Sequence, residues 1–336
     1  MTTIKDVAKD TGLSVATISK YMNGGNVLEE NRIVIVEAIE KLNYKVNHAA
    51  RALKTNRTKT IGVLLTSVNA PFFSNICETM EALLKEEGFS VIFCSYYENP
   101  QEELNKIGFL LDQGVDGIVL VPQYINDNDM LQFEKITNRI TPLVLLDRAI
   151  PDYDCDRILA DNSIATYTAI EQFVINGHRR IGFIMGPPEI STAHERKIGY
   201  ERVLVDYSIA HDNELIRVGD YSIGSGYKAM NDLLDLDTPP TAVMGTNYEM
   251  TMGAITAVFE RKMKIPQDIS FIGYDEIQLT KILNPPIATV LQPMEELARS
   301  TVEILLKRIS GDYSSYPTVQ RLKTTFVMKE SISKIT

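Results

Sequence analysis

The chain has 336 residues, 44% hydrophobic and 23% charged, which describes a folded globular protein long enough for two or three domains. It has no apolar run near the ~18 residues of a membrane helix. Its polar start, Met-Thr-Thr-Ile-Lys-Asp, lacks the apolar core of a signal peptide, so a cytoplasmic protein with no membrane partner is expected. The net charge of −10 taken whole argues against nucleic acid, but the sum hides a division. Residues 1–60 hold ten Lys/Arg against six Asp/Glu, net +4, and the remainder holds 24 against 38, net −14. Three cysteines, Cys77, Cys94 and Cys155, have no metal-ligand spacing and read as buried thiols of a reducing compartment.

The basic head reads as three short helices. Thr3 followed by Asp6 is a capping-box-like start, and Ile4, Val7 and Ala8 give one apolar face. Gly12 stops that helix and Ser14 N-caps a second, whose Ile18, Tyr21 and Met22 face inward at i, i+3, i+4. A third is expected over about 31–42, with Ile35, Val36, Ile39 and Leu42 inward. Helix, tight turn, helix is the arrangement that sets a second helix in the DNA major groove. Ser14, Val15, Ala16, Ser19, Lys20 and Asn23 point outward from that helix. Lys20 can donate to guanine O6/N7, and Val15 and Ala16 can meet a thymine methyl. A plain three-helix bundle with a solvated face is the alternative.

The Ala-rich stretch His48–Lys54 follows. It is too short to hold a helix alone in water, because nucleation is costly. From Thr60 onward, short β-branched runs alternate with helical spacing: 60–66, 91–97, 117–122, 142–147, 157–161, 180–186, 215–221, 241–247 and 269–275. Such runs joined by helices read as parallel sheet, and their number predicts two similar α/β subdomains. Ligands of two-lobed α/β folds sit past the strand ends. The residues there include Phe72, Phe73, Asp147, Thr192, His194, Arg196, Tyr221, Asn247, Asp275 and Gln292. Carboxylates, amides and a guanidinium beside aromatic rings suit a polyol. His194 next to Arg196 adds a hint of an anionic group such as a phosphosugar. His178, in the turn Gly177-His178-Arg179, reads as structural. There is no nucleophile elbow, no Walker loop and no clustered metal ligands, so neither an enzyme nor a cofactor is expected.

Several stretches resemble the lactose-repressor (LacI-type) family of bacterial transcription regulators. In the head they are Ile4-Lys5-Asp6-Val7-Ala8, the run Gly12–Lys20, Asn23-Gly24, Leu42-Asn43-Tyr44 and Ala50-Arg51-Ala52-Leu53. In the body they are Gly177-His178-Arg179, Gly186-Pro187, Gly219-Asp220-Tyr221, Gly273-Tyr274-Asp275 and Leu291-Gln292-Pro293. The resemblance implies an α/β chain: a helix-turn-helix head (1–46), a hinge helix and linker (47–59), and a core similar to periplasmic sugar-binding proteins. That core would have an N-terminal subdomain of 60–161 plus about 290–320 and a C-terminal one of 162–289 plus about 321–332. It implies base reading at Val15, Ala16 and Lys20 and phosphate proximity at Thr3, Ser19, Asn23, Tyr44 and Asn47. In the hinge, carrying Arg51, it implies Leu53 wedged into the minor groove when two hinges fold on DNA. The pocket residues above become effector contacts.

Three departures stand out. Leu28 replaces a polar cap, Ile33 and Val34 stand where the family is often basic, and Asn247-Tyr248 replaces Asn-Asp and with it a carboxylate. The expectation is a homodimeric repressor of carbohydrate genes, reading a palindromic operator under control of a sugar-type effector. A tetramer is not expected without a C-terminal heptad zipper, and a phosphocarrier co-regulator would leave no residue signature of its own. The rivals are a transporter's solute-binding protein, a sugar-processing enzyme, and a family member sensing a purine, on whose base Phe72, Phe73 and Tyr221 could stack.

Overall fold

A computed structural model of the chain describes residues 2–22, 25–44, 57–123, 127–137, 141–275 and 283–335. It divides into two compact units, Met1–Thr58 and Lys59–Thr336.

In the first unit, α1 (Ile4–Thr11), α2 (Val15–Met22) and α3 (Glu29–Lys41) close on Val7, Ile18, Ile35 and Ala38, all buried. The Asp6 carboxylate accepts from the Thr3 amide and hydroxyl, both at 2.8 Å, which fixes the first turn of α1. Gly12 takes φ 69° and ends that helix, and the Ser14 hydroxyl accepts from the Thr17 amide at 3.1 Å to start α2. Leu28 offers α3 no side-chain cap, so that helix begins on Glu29 and Glu30 against its positive end. Ala38 takes the buried place expected for Val36, which is only half-buried.

The second unit holds two six-stranded sheets. The first contains β1 (Thr60–Leu65), β2 (Ser90–Ser95), β3 (Gly117–Leu120), β4 (Leu143–Leu146), β5 (Asp156–Ala160) and β11 (Val319–Leu322), in the order β11-β5-β4-β3-β1-β2, all parallel. The second contains β6 (Ile181–Met185), β7 (Ile216–Val218), β8 (Ala242–Gly245), β9 (Ser270–Tyr274), β10 (Ala288–Leu291) and β12 (Thr325–Val327), in the order β12-β10-β9-β8-β6-β7. Only β12 runs antiparallel. Both orders reverse direction beside their first strand, at β1/β3 and β6/β8, and such a switch point opens a crevice at the strands' carboxyl ends.

Helices cover both faces, as fully apolar parallel strands require. On the first sheet, α4 (Pro71–Glu86) and α11 (Met294–Ile309) bury one face, and α5 (Pro100–Asp112) and α6 (Asp127–Thr137) the other. On the second, α7 (Asn162–Ile175) and α8 (Ser191–Asp206) lie opposite α9 (Ile223–Leu234) and α10 (Tyr248–Glu260). The chain passes between the lobes three times: from β5 to α7, from β10 to α11, and from β11 to β12. The last passage lies past Leu322, because Leu322 still pairs with Ala160, so the first lobe reaches beyond the expected border near 320. His178 is a structural clamp, with Nδ1 against the Thr241 hydroxyl at 2.9 Å and Nε2 against the Ser333 carbonyl at 3.0 Å. Burial pushes the Cys77 and Cys155 thiols up to about 12, so neither ionises at neutral pH.

Candidate functional site

The carboxyl ends of the strands meet across a cleft of about 450 Å³, within the range of small-molecule sites. The first lobe contributes Asn69, Phe72 and Phe73 from the segment after β1, Tyr97 and Glu98 after β2, and Asp147 and Arg148 after β4. The second contributes Thr192 and Arg196 from α8, Asp220, Tyr221 and Ser222 after β7, Asn247 and Glu249 after β8, and Asp275 after β9; Gln292 lies just past β10. Nine of the ten expected effector residues are thus brought together.

His194 is the exception: it is exposed and does not line the cleft. Thr192 and Arg196 are four apart and share one face of α8, while a residue two positions on points to the far side. The anionic pocket it suggested loses its histidine. The departure at Asn247-Tyr248 is also corrected. Tyr248 is buried in its own lobe, while Glu249, one position later, lines the cleft and restores a carboxylate there. Phe72 and Phe73 serve twice, as core and as wall, with ring centroids 5.0 Å apart and edge to face.

Arg196 is buried. Its Nε donates to Asn162 Oδ1 at 2.8 Å, Nη1 donates to the Thr246 carbonyl, and its guanidinium lies 4.0 Å above the Tyr274 ring. Tyr274 itself donates to Asn162 Oδ1, so Arg196 is held before any ligand arrives. Arg148, which the sequence reading passed over beside Asp147, makes a bidentate pair with Glu98 at 2.8 and 3.0 Å. Asp275 accepts from Gln292 Nε2 at 2.9 Å. Burial pushes its carboxyl up to about 7 against the pull of Arg196, and burial likewise raises Asp147. Asp147 Oδ1, Arg148 Nε and Gln292 Oε1 are buried without a hydrogen-bond partner. Gly186 leaves room for the Tyr221 ring: a Cβ there would lie 2.1 Å from it. The Tyr221 hydroxyl is 3.3 Å from that of Thr192.

Backbone geometry singles out the same place. Of the ten described non-glycine residues with positive φ, five line this cleft: Tyr97, Glu98, Asp147, Tyr221 and Asp275. Each costs of order 1–3 kcal/mol, and such strain gathers where function fixes a side chain.

In the head, Thr3, Ser14, Val15, Ala16 and Lys20 are exposed, and Ser19 is half-buried. Ala16 and Lys20 border an open depression completed by Asn26, Val27, Leu28 and Asn31. Tyr44 packs its ring against the head core. Asn23, Asn47, Arg51 and Leu53 lie outside the described residues. Ile33 and Val34 are exposed, as their departure from the basic pattern implies. Among the described residues no group of acids, histidines and cysteines could hold a metal ion, and no helix is long and apolar enough to cross a membrane.

Residues 3–47 match the model of bacterial regulatory proteins of the lacI family, and residues 170–332 match a periplasmic binding protein-like domain. An HTH-type transcriptional repressor PurR of Actinobacillus pleuropneumoniae is 33% identical over all of this chain and 99% of its own length. The chain belongs to the lacI family. A PurR repressor of Proteus mirabilis is 35% identical over 95% of the chain and 94% of its own length. Among solved structures, the lac repressor dimer bound to operator and the anti-inducer ONPF superposes with a TM-score of 0.88 at 25% identity, over 99% of both chains. The regulator CelR in complex with cellobiose gives 0.74 at 27% identity, over 98% of this chain and all of its own. A family regulator of Enterococcus faecium with bound ribose gives 0.73 at 27% identity, over 82% of this chain and all of its own. The chain is a DNA-binding transcriptional repressor of this family rather than an enzyme.

Proposed function

We propose that the chain represses transcription as a homodimer on a palindromic operator, and that a purine-class effector held in the interlobe cleft governs that binding. The full-length likeness to repressors named PurR supports this effector class over the sugar favoured by the sequence alone. The cleft chemistry fits it. Phe72, Phe73 and Tyr221 offer ring faces, and Thr192, Arg196 and Asp275 offer a hydroxyl, a guanidinium and a carboxyl that titrates near neutrality. A neutral Asp275 can donate to a ring nitrogen, and an ionised one can accept from a ring N–H.

The head reads bases through Val15, Ala16 and Lys20, and a two-headed reader needs two-fold symmetry to match a palindrome. Leu53 in the hinge is assigned to the operator's central minor groove. Leu53→Ala should lower operator affinity strongly and leave nonspecific binding nearly intact in a salt-matched titration.

A sugar is the second reading. It is favoured by the polar set Asp147, Asn247 and Gln292 and by the cellobiose and ribose complexes of structural relatives. A thermal-shift panel of hypoxanthine, guanine, adenine, inosine, ribose and cellobiose separates the two, since a ligand raises stability by RT ln(1 + [L]/Kd). Stabilisation by purines carries the proposal. Stabilisation by sugars alone replaces it with the second reading.

A further inference from the structure

The described lining of the cleft holds five carboxylates, Glu98, Asp147, Asp220, Glu249 and Asp275, and only two cations, Arg148 and Arg196. Those cations are largely committed. Arg148 is closed on Glu98, and Arg196 is tied to Asn162 and Thr246. Asp220 keeps its charge through hydrogen bonds from Ser222 and Ser225. Glu249 is different. It is half-buried, has no cation beside it among the described residues, and takes a single side-chain bond, Asn247 Nδ2 to Oε2 at 2.7 Å. Desolvation raises its carboxyl, while its place in the first turn of α10 favours the ionised form. Three lining atoms of residues more than nine-tenths buried lack partners: Asp147 Oδ1 and Gln292 Oε1, both acceptors, and Arg148 Nε, a donor. The helix amides that could greet an anion are partly spoken for: Ser222 Oγ takes the Ser225 amide of α9, and Asn247 Oδ1 takes the Met250 amide of α10.

We propose that Glu249 is a specificity-determining residue that selects an effector carrying an amino group and rejects an anionic one. Carboxyl groups outnumber guanidiniums in the lining, and two of its three unpartnered buried atoms are acceptors. The ligand that completes it brings N–H groups to Glu249, Asp147 and Gln292 and no phosphate. This rests on the reading that the cleft is the effector site, but not on the effector being a purine.

The experiment is calorimetric titration of the full chain with matched pairs: guanine against hypoxanthine, guanosine against guanosine 5′-monophosphate, and glucosamine against glucose. The amino member should bind roughly 10–100-fold tighter than its partner, the worth of one hydrogen bond to a charged group, and the monophosphate should bind more weakly than its nucleoside by at least as much. Glu249→Gln should erase the amino preference and leave binding of the partner compound in place. Equal binding within the pairs, or a preference that survives Glu249→Gln, overturns the inference. If the sugar pair binds and the purines do not, the purine reading fails and the amino preference is still read from glucosamine. A second measurement needs no ligand. Glu249→Gln removes a desolvated charge and keeps the bond to Asn247, so the variant's stability relative to wild type should rise from pH 5 to pH 8; a gap that does not widen overturns the claim that Glu249 presents a desolvated carboxylate to the cleft.

Discussion

Asp275 offers the sharpest test of how the cleft is built. It is 5% exposed, its backbone sits at φ 61°, and its carboxyl is pushed up to about 7 from an ordinary 3.8. Asn is nearly isosteric, tolerates a left-handed backbone, and can still accept from Gln292 Nε2, so Asp275→Asn changes charge with little else. The sign follows from linkage. A carboxyl whose folded pKa is raised binds its proton more tightly in the folded state, so it lowers stability as pH rises from about 4 to about 7 and holds that loss above 7. At 1.36 kcal/mol per pKa unit the ionisation cost is about 4 kcal/mol at pH 8 and under 2 kcal/mol at pH 5. The variant carries no such cost. Its stability advantage over wild type should therefore widen by about 2–3 kcal/mol between pH 5 and pH 8, or several degrees in Tm for a unit of this size. Urea denaturation of both chains at the two pH values measures it. A gap that stays constant, or narrows as pH rises, refutes the claim that Asp275 is a desolvated acid.

Three further perturbations probe other parts of the molecule. Asp156 and Arg308 form a buried ion pair with bonds of 2.8 and 2.9 Å that ties α11 to β5. Asp156→Ala strands the guanidinium and should cost about 3–5 kcal/mol in chemical denaturation. Gly253 brings α10 against the start of α9 so closely that a Cβ would lie 2.0 Å from the Ile223 carbonyl. Gly253→Ala should cost about 1–3 kcal/mol and weaken effector binding by shifting Tyr221 and Ser222, both read in one calorimetric series. Lys20→Ala should cost about 1–3 kcal/mol of operator affinity and relax preference at one base position only, measured against base-substituted operators at fixed salt.

Much of the cleft was legible because of one rule: in a parallel sheet, chemistry sits past the carboxyl ends of the strands. Applied to apolar runs, it reached Asp147, Asn247 and Asp275 without structure. Applied evenly, it would also have reached Glu98 and Asp220, which follow β2 and β7. Helix phase defeated it elsewhere. His194 was chosen for nearness in sequence to Arg196, yet two residues along a helix is half a turn. The carboxylate thought lost at Tyr248 stood one position on, because α10 begins at Tyr248 and turns that ring into the core. The edge strand β11 carried no apolar run, since every second residue is exposed, and β12 is only three residues long; both pair through backbone that any side chain can supply.

The cleft is assembled at a cost to the fold, and a ligand that fills it would relieve part of that cost. Five lining residues hold left-handed backbones, three carboxyls are raised by burial, and three buried polar atoms lack partners. These groups come from both lobes, which are tied directly by the Ala149 amide on Ser191 Oγ at 2.9 Å and by Arg321 on Glu195 at 2.7 Å. A ligand that supplies the missing partners stabilises the lobe arrangement in which they face one another, and gains less from any other. In the proposed function that difference is what would bias operator binding, because a ligand contacting one lobe alone would bind every arrangement equally and shift none. The acidic surplus of the whole chain, first read as an argument against DNA, is in part the cleft's own carboxylates, while the sixty residues that open the chain carry a net positive charge.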